Sequence, residues 1–280
     1  MGRRRPWAVP GLLVGVAGML LVFDLPDILT GGPLSGPFGY QNATGAFFFQ
    51  ASIAGLMLAV AHPRALGVGV VSAVAFAAVP LASGSITAGV LVLSLPAWVV
   101  ARHGPNGARA AVATCAALVL GALLLTVALG TAYEPGERTG TLDRLADATL
   151  TERRLVLWNE ALDMMTARPL TGVGPGRFDQ ASPTGSSNVE ARWAHHGFLQ
   201  QGAETGLPGL VLLVLLFLWG FARLRLAGPL SMTGLGAVAL AGLGIHATVD
   251  YVLHFAAIPL AAAALVGAAT IPVPRETHGN

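Results

Sequence analysis

The 280-residue chain has few charged residues, a single cysteine and no lysine. Only 11% of its residues are charged, whereas a soluble domain has about a quarter. The one cysteine, Cys115, lies in an apolar segment, which excludes an intramolecular disulfide and a cysteine-based zinc site. The basic residues form no continuous basic stripe, so we expect no nucleic-acid partner.

Hydrophobic residues make up 54% of the chain and are grouped in blocks separated by glycine, proline and charged residues. Each block is close to the length of about 20 residues that spans a bilayer as a helix. The blocks cover residues 7–25, 43–61, 65–82, 86–101, 109–132, 207–226, 229–249 and 255–272. The sequence therefore predicts an all-α, polytopic transmembrane helix bundle with about eight spans.

The arginines indicate how the chain is oriented. Nine of them flank the ends of the spans on one side: Arg3, Arg4, Arg5, Arg64, Arg102, Arg109, Arg223, Arg225 and Arg275. Positive residues near span ends mark the cytoplasmic side, so both termini are expected in the cytoplasm. The other seven fall in one long loop on the opposite side: Arg138, Arg144, Arg153, Arg154, Arg168, Arg177 and Arg192. We predict an N-terminal bundle over 1–132, an extracytoplasmic loop over 133–206 and a C-terminal bundle over 207–280.

The long loop contains most of the polar chemistry. Residues 151–168 have the apolar spacing of an amphipathic helix. The glycine-rich stretch 169–178 superficially resembles a phosphate-binding loop, but no strand precedes it and Pro175 has no N–H donor, so a structural turn is favoured. We expect the polar stretch 182–188 to be flexible. His195 and His196 follow, close to the start of the sixth span, where an imidazole can accept a proton at neutral pH.

Four motifs in this region resemble those of the O-antigen ligase and polymerase superfamily. They are Arg154-Leu-Val-Leu-Trp158, then Pro169-Leu-Thr-Gly-Val-Gly-Pro-Gly176, then the segment His195 to Leu199, and then Glu204-Thr-Gly-Leu-Pro-Gly209, which leads into a span. Weaker similarities are the turn from Gly36 to Ala43 and the segment His246 to His254.

The resemblance implies a metal-independent glycosyltransferase of cell-envelope polysaccharide biosynthesis in the bacterial cytoplasmic membrane, without a cofactor. Its partners would be an undecaprenyl-diphosphate-linked saccharide, a glycan or lipid acceptor and membrane lipid. Arginine suits diphosphate because its planar fork binds phosphate oxygens, and histidine suits deprotonation of the acceptor hydroxyl. The implied catalytic residues are His195 and His196. The implied substrate-binding residues are Arg154, Arg177, Arg192, Glu204, Asn42 and Asp250.

Several alternatives stay open. His196 stands where the family usually has asparagine, so either imidazole is a candidate base. Glu204 could equally cap the helix that follows it. Asp250 with His246 and His254 could suggest a metal site at i, i+4 and i+8 of one helix, but a polar contact holding the loop against the bundle is favoured, and no metal site is predicted.

Other functions are also possible. Residues 84–87 lack the arginine that the family has at the turn between the third and fourth spans, and the chain begins only one span before the Asn42 turn. A shortened reading frame or a reduced member would explain the few spans before this turn, and the missing arginine keeps an inactive member as an alternative. A transporter or flippase of a lipid-linked sugar is the alternative of a different class, but the spans contain few intramembrane charges.

Overall fold

A computed structural model describes residues 5–30, 34–100, 107–133, 152–188, 191–226 and 230–271. Part of the predicted loop, residues 134–151 with Arg138 and Arg144, lies outside the described residues. So do four of the orienting arginines, Arg3, Arg4, Arg102 and Arg275.

All regular structure in the described residues is helical, which confirms the predicted all-α class. The helices are α1 (Ala8–Thr30), α2 (Gln41–Ala61), α3 (Leu66–Ala82), α4 (Ile86–Val100), α5 (Gly107–Ala132), α6 (Glu152–Ala167), α7 (Phe178–Ala181), α8 (Pro183–Ser187), α9 (Gly197–Leu226), α10 (Leu230–Ala247) and α11 (Ala257–Ala269). Short 3₁₀ turns cover Gly36–Phe38, Pro63–Ala65 and Val252–His254.

Each of the eight predicted apolar segments contains a helix. By length and composition, four helical stretches among the described residues could cross a membrane: Gln41–Ala61, Pro63–Ala82, Gly107–Ala132 and Gly197–Leu226. A helix suits the interior of a lipid bilayer because it satisfies its own backbone hydrogen bonds, and lipid offers no donors or acceptors to replace them. The chain is thus a membrane-type helical protein, and the count of eight spans stays a prediction.

The described chain divides into two compact units. The first contains residues 1–117, 219–243 and 255–280, and its centre is α2. This helix is buried over most of its length and contacts α1, α3, α4 and α11. Gly55 and Gly69 allow α2 and α3 to approach closely, because a Cβ on Gly55 would lie 2.8 Å from the Gly69 carbonyl oxygen. Such contacts between small residues are typical of helices packed in membranes.

The second unit contains residues 118–218 and 244–254. Its core is the apolar face of α6, as the amphipathic pattern predicts. Leu155, Trp158 and Leu162 of that helix are buried with Phe178 and Leu199. The observed bounds of α6, Glu152–Ala167, confirm the helix predicted over 151–168.

Three local predictions were wrong. Residues 182–188, expected to be flexible, contain α8, which the Glu160 carboxylate fixes by accepting hydrogen bonds from the Ser182 and Thr184 hydroxyls and from the Thr184 N–H. The sixth predicted span, expected over 207–226, belongs to α9, which begins at Gly197 and is interrupted at Gly206, where φ is +72°. The seventh predicted span corresponds to α10, which ends at Ala247, so Asp250 and His254 lie beyond it and do not share a helix face with His246.

Candidate active site

Asp250 is the central charged group of the second unit. Its side chain is only 2% exposed, and its Oδ2 lies 3.3 Å from Nη2 of Arg154. Its Oδ1 lies 3.8 Å from Nδ1 of His195 and accepts a hydrogen bond from the Tyr251 N–H at 2.7 Å. The Asp250 carbonyl oxygen also accepts from the Gly197 N–H. These contacts join the segment that follows α10 to two parts of the long loop, within the second unit.

His195 has a strained backbone that aims its ring at Asp250. Its φ is +49°, which makes it the only residue other than glycine with positive φ in the described part of the chain. Such a conformation costs free energy and persists only where neighbouring contacts impose it. The indole N–H of Trp158 donates to the His195 carbonyl oxygen at 3.2 Å and is one such contact. The His195 side chain is 16% exposed and so remains accessible.

His196 faces the opposite way and is fully buried. Its Nδ1 accepts from the Leu199 N–H at 3.2 Å, and its Nε2 lies 2.8 Å from the Thr126 hydroxyl. Since that hydroxyl donates to backbone carbonyls of α5, the neutral ring with its hydrogen on Nε2 satisfies both contacts. Burial lowers the pKa of His196 to about 3.

The glycine-rich stretch forms a turn against the break in α9. The N–H groups of Val173 and Gly174 donate to the carbonyl oxygens of Ala203 and Glu204, and the Leu207 N–H donates to the Pro169 carbonyl. The Gly176 N–H donates to Oε2 of Glu204 at 2.8 Å. These donors are used within the protein, which confirms a structural turn rather than a phosphate-binding loop.

Glu204 therefore lies inside the first part of α9 and holds the turn, instead of capping the helix after it. Its Oε1 also accepts from Nε2 of Gln200 at 3.1 Å. The same Gln200 nitrogen lies 3.3 Å from Nε2 of His254, and Nδ1 of His254 lies 3.2 Å from the Tyr251 carbonyl oxygen. A neutral His254 with its hydrogen on Nδ1 satisfies both contacts. Desolvation by burial lowers the pKa of His254, although the residue as a whole is exposed.

The other predicted site residues lie in three different places. Arg177 lines an open cleft of about 440 Å³ together with Asp163, Arg168 and Gln180. The cleft lies at the C-terminal end of α6, and Arg154 lies in its first turn. Fourteen residues separate Arg154 from Arg168, a rise of about 21 Å along a helix. Arg192 is exposed in the bend before His195. Asn42 lies in the first unit, where its side-chain amide donates to the Tyr40 hydroxyl at 2.9 Å.

Sequence reasoning missed Gln200 and gave Trp158 no role beyond the amphipathic pattern. Trp158 is the last residue of the Arg-x-x-x-Trp motif, so its spacing from Arg154 was a usable signal. The i, i+4 spacing puts the two residues one turn apart on the same side of α6. Gln200 carried no signal, because its partners Ala194 and Glu204 are ordinary local contacts and His254 is brought to it only by the turn beyond α10.

Comparison with known proteins agrees with the motifs in the second unit. A family model described as O-Antigen ligase matches residues 42–214, which is more than half of the chain and includes Asn42, Arg154, His195 and Glu204. No curated protein matches the chain. The extent of the family match shows that the chain belongs to the O-antigen ligase family.

Proposed function

We propose that the protein transfers a saccharide from an undecaprenyl-diphosphate carrier to a glycan or lipid acceptor at the outer face of the bacterial cytoplasmic membrane. The observation that carries this proposal is the arrangement of Arg154 and His195 on the two oxygens of one buried carboxylate, Asp250. The family match supports ligase-type chemistry in general. The donor, the residue roles and the independence from metal are part of the proposal.

Arg154 is the residue proposed to bind the diphosphate. Its contact with Asp250 uses one of the five N–H donors of the guanidinium, and its side chain is 22% exposed. The remaining donors can bind phosphate oxygens in a fork geometry. Arg177 and Arg192 are proposed only as secondary contacts with the saccharide or lipid, and Asn42 is kept as a proposed substrate-binding residue.

His195 is proposed as the general base, in preference to the buried His196. Its imidazole takes the proton of the acceptor hydroxyl, and the acceptor oxygen attacks the anomeric carbon of the donor sugar. The bond from that carbon to the diphosphate oxygen breaks, and its electron pair stays on the diphosphate, where Arg154 balances the charge. Asp250 is proposed to stabilise the imidazolium that forms, as a neighbouring carboxylate favours the charged form.

The test is transfer by purified protein in liposomes, with lipid-linked saccharides and acceptor lipids extracted from the source organism. His195→Ala should lower the rate by about 10²- to 10⁴-fold, the usual contribution of a general base. Arg154→Ala should also abolish most transfer. Arg153→Ala is the matched control, because Arg153 is the exposed neighbour on the same helix.

Full transfer by both His195→Ala and Arg154→Ala would refute the mechanism. Wild-type protein that transfers nothing, but moves a lipid-linked sugar across the vesicle membrane, would favour the flippase alternative.

A further inference from the structure

Three aromatic side chains form a cluster at the surface of the second unit, beside His195. The Trp193 ring lies 4.3 Å from the His254 ring and 5.9 Å from the Tyr251 ring, with an angle of 25° to the latter. Trp193 and Tyr251 are half-buried and His254 is exposed. We call these three residues the aromatic cluster.

The aromatic cluster is continuous with the proposed catalytic groups. The Tyr251 and His195 rings meet in a T-shaped arrangement, with a centroid distance of 4.8 Å and an angle of 85°. The Tyr251 N–H is bound to the same Asp250 oxygen that faces His195. A molecule lying on the aromatic cluster is therefore next to the base.

Hydrogen bonds hold the aromatic cluster in place before any ligand arrives. His254 is held between Gln200 and the Tyr251 carbonyl oxygen, and the Gln200 side-chain oxygen accepts from the Ala194 N–H, one residue after Trp193. Rings that are already fixed lose little conformational entropy on binding.

We propose that the aromatic cluster is the subsite for the acceptor sugar, with Trp193 as its main contact. A pyranose has an apolar face of C–H groups that packs on aromatic rings, while its hydroxyls at the rim need polar partners. Here the Tyr251 ring lies beside His195, whose partly exposed side chain offers such a partner. Because the base acts on the acceptor hydroxyl, this assignment to the acceptor sugar rests on the proposed function.

A membrane-interface anchor is the alternative role for an exposed tryptophan and tyrosine. The residues around Trp193 favour sugar binding over membrane anchoring. Trp193 packs on an imidazole, and the Tyr251 ring of the same cluster contacts His195, which lies beside the buried Asp250 carboxylate and its partner Arg154. Trp219 offers the contrast, since it is 61% exposed on the apolar part of α9 among exposed leucines.

The proposal is tested by saturation-transfer NMR on the purified full chain in detergent. The probes are the methyl glycosides of glucose, galactose and N-acetylglucosamine. Wild-type protein should saturate the ring protons of at least one glycoside, and Trp193→Ala should lower its affinity about fivefold or more, the order expected for a lost aromatic contact. Trp193→Tyr should restore most of the signal. The matched control Trp219→Ala should keep it.

Absence of saturation by wild-type protein, or an unchanged signal with Trp193→Ala, would overturn the subsite. The same loss with Trp219→Ala would also overturn it, because it would mean general disturbance or an anchoring role.

The binding measurement does not depend on catalysis, so it separates this proposal from the one above. His195→Ala should still bind the glycoside while losing transfer. If His195→Ala transfers normally and Trp193→Ala loses glycoside binding, the base assignment fails and the sugar subsite stands.

In transfer assays Trp193→Ala should raise KM for the acceptor at least about fivefold and leave KM for the lipid-linked donor unchanged. A rise in KM for the donor alone would overturn the assignment to the acceptor.

Discussion

Neighbouring histidines in this chain have opposite environments, and the backbone of His195 is the reason. The left-handed conformation at His195 turns its ring toward Asp250, while the buried ring of His196 contacts the Thr126 hydroxyl and the Trp158 ring. In the family pattern asparagine usually occupies the position of His196. An asparagine oxygen can accept the Leu199 N–H as Nδ1 of His196 does, so the structural requirement at this position is an acceptor rather than a base.

We predict that His196 makes the protein less stable in acid. Its folded-state pKa of about 3 lies below the ordinary value of 6.5, so below pH 6.5 the unfolded chain takes up a proton that the folded chain does not. The free energy of unfolding should then fall by about 1.4 kcal/mol between pH 7.5 and pH 5.5. This loss continues as pH decreases toward the folded-state pKa.

His196→Asn should remove this part of the pH dependence while keeping transfer activity. The measurement is the melting temperature of wild-type and variant protein in detergent at the two pH values. A variant with the same difference in melting temperature as the wild type would contradict the buried, neutral state of His196.

At the scale of elements, the glycine turn and the break in α9 depend on close backbone contact. A Cβ on Gly172 would lie 2.4 Å from the Glu204 carbonyl carbon, and its φ is +61°. Gly176 has almost the same φ, +66°, but a Cβ there meets nothing within 4 Å. An alanine at either position would have the same backbone strain, but only an alanine at Gly172 would also collide with neighbouring atoms.

We predict that Gly172→Ala destabilises the protein far more than Gly176→Ala. The Gly176 variant should cost about 1–2 kcal/mol, the penalty for a left-handed alanine. The Gly172 variant adds a collision with backbone that cannot move without breaking the bonds of Val173 and Gly174 to α9. Thermal melting in detergent measures both, and equal losses would mean that the turn does not pack on α9 as described.

The elements were predictable where the signal is local. The apolar spacing of Leu155, Trp158 and Leu162 gave α6 to within one residue at each end, because burial of one helix face imposes a period of 3.6. The break at Gly206 was not predictable from the same kind of pattern. It exists because the Pro169 to Gly174 backbone occupies the space beside it, a contact between segments more than thirty residues apart.

The candidate site was only partly predictable for the same reason. Arg154 and His195 stand in recognisable motifs, but their common partner Asp250 lies 96 residues from Arg154 in sequence. The i, i+4, i+8 spacing of His246, Asp250 and His254 predicted one continuous helix with the three residues on one face. In the structure α10 ends at Ala247 and the chain then turns. Only that turn brings Asp250, Tyr251 and His254 to the segment around His195.

At the scale of the whole molecule, the structure offers a low-background way to test orientation. The only cysteine, Cys115, is fully buried, so a cysteine introduced at an exposed position can be labelled selectively. Ser186 in the long loop and Arg64 between α2 and α3 are both exposed, and the charge distribution predicts that they lie on opposite sides of the membrane.

We predict that Ser186→Cys reacts with a membrane-impermeant maleimide in intact spheroplasts, whereas Arg64→Cys reacts only after permeabilisation. Wild-type protein, with Cys115 alone, should remain unlabelled in both conditions because its thiol is inaccessible. Labelling of Arg64→Cys in intact spheroplasts, with protection of Ser186→Cys, would invert the orientation. It would also move Arg154, His195 and Asp250 to the cytoplasmic face, where an outer-face transferase cannot act.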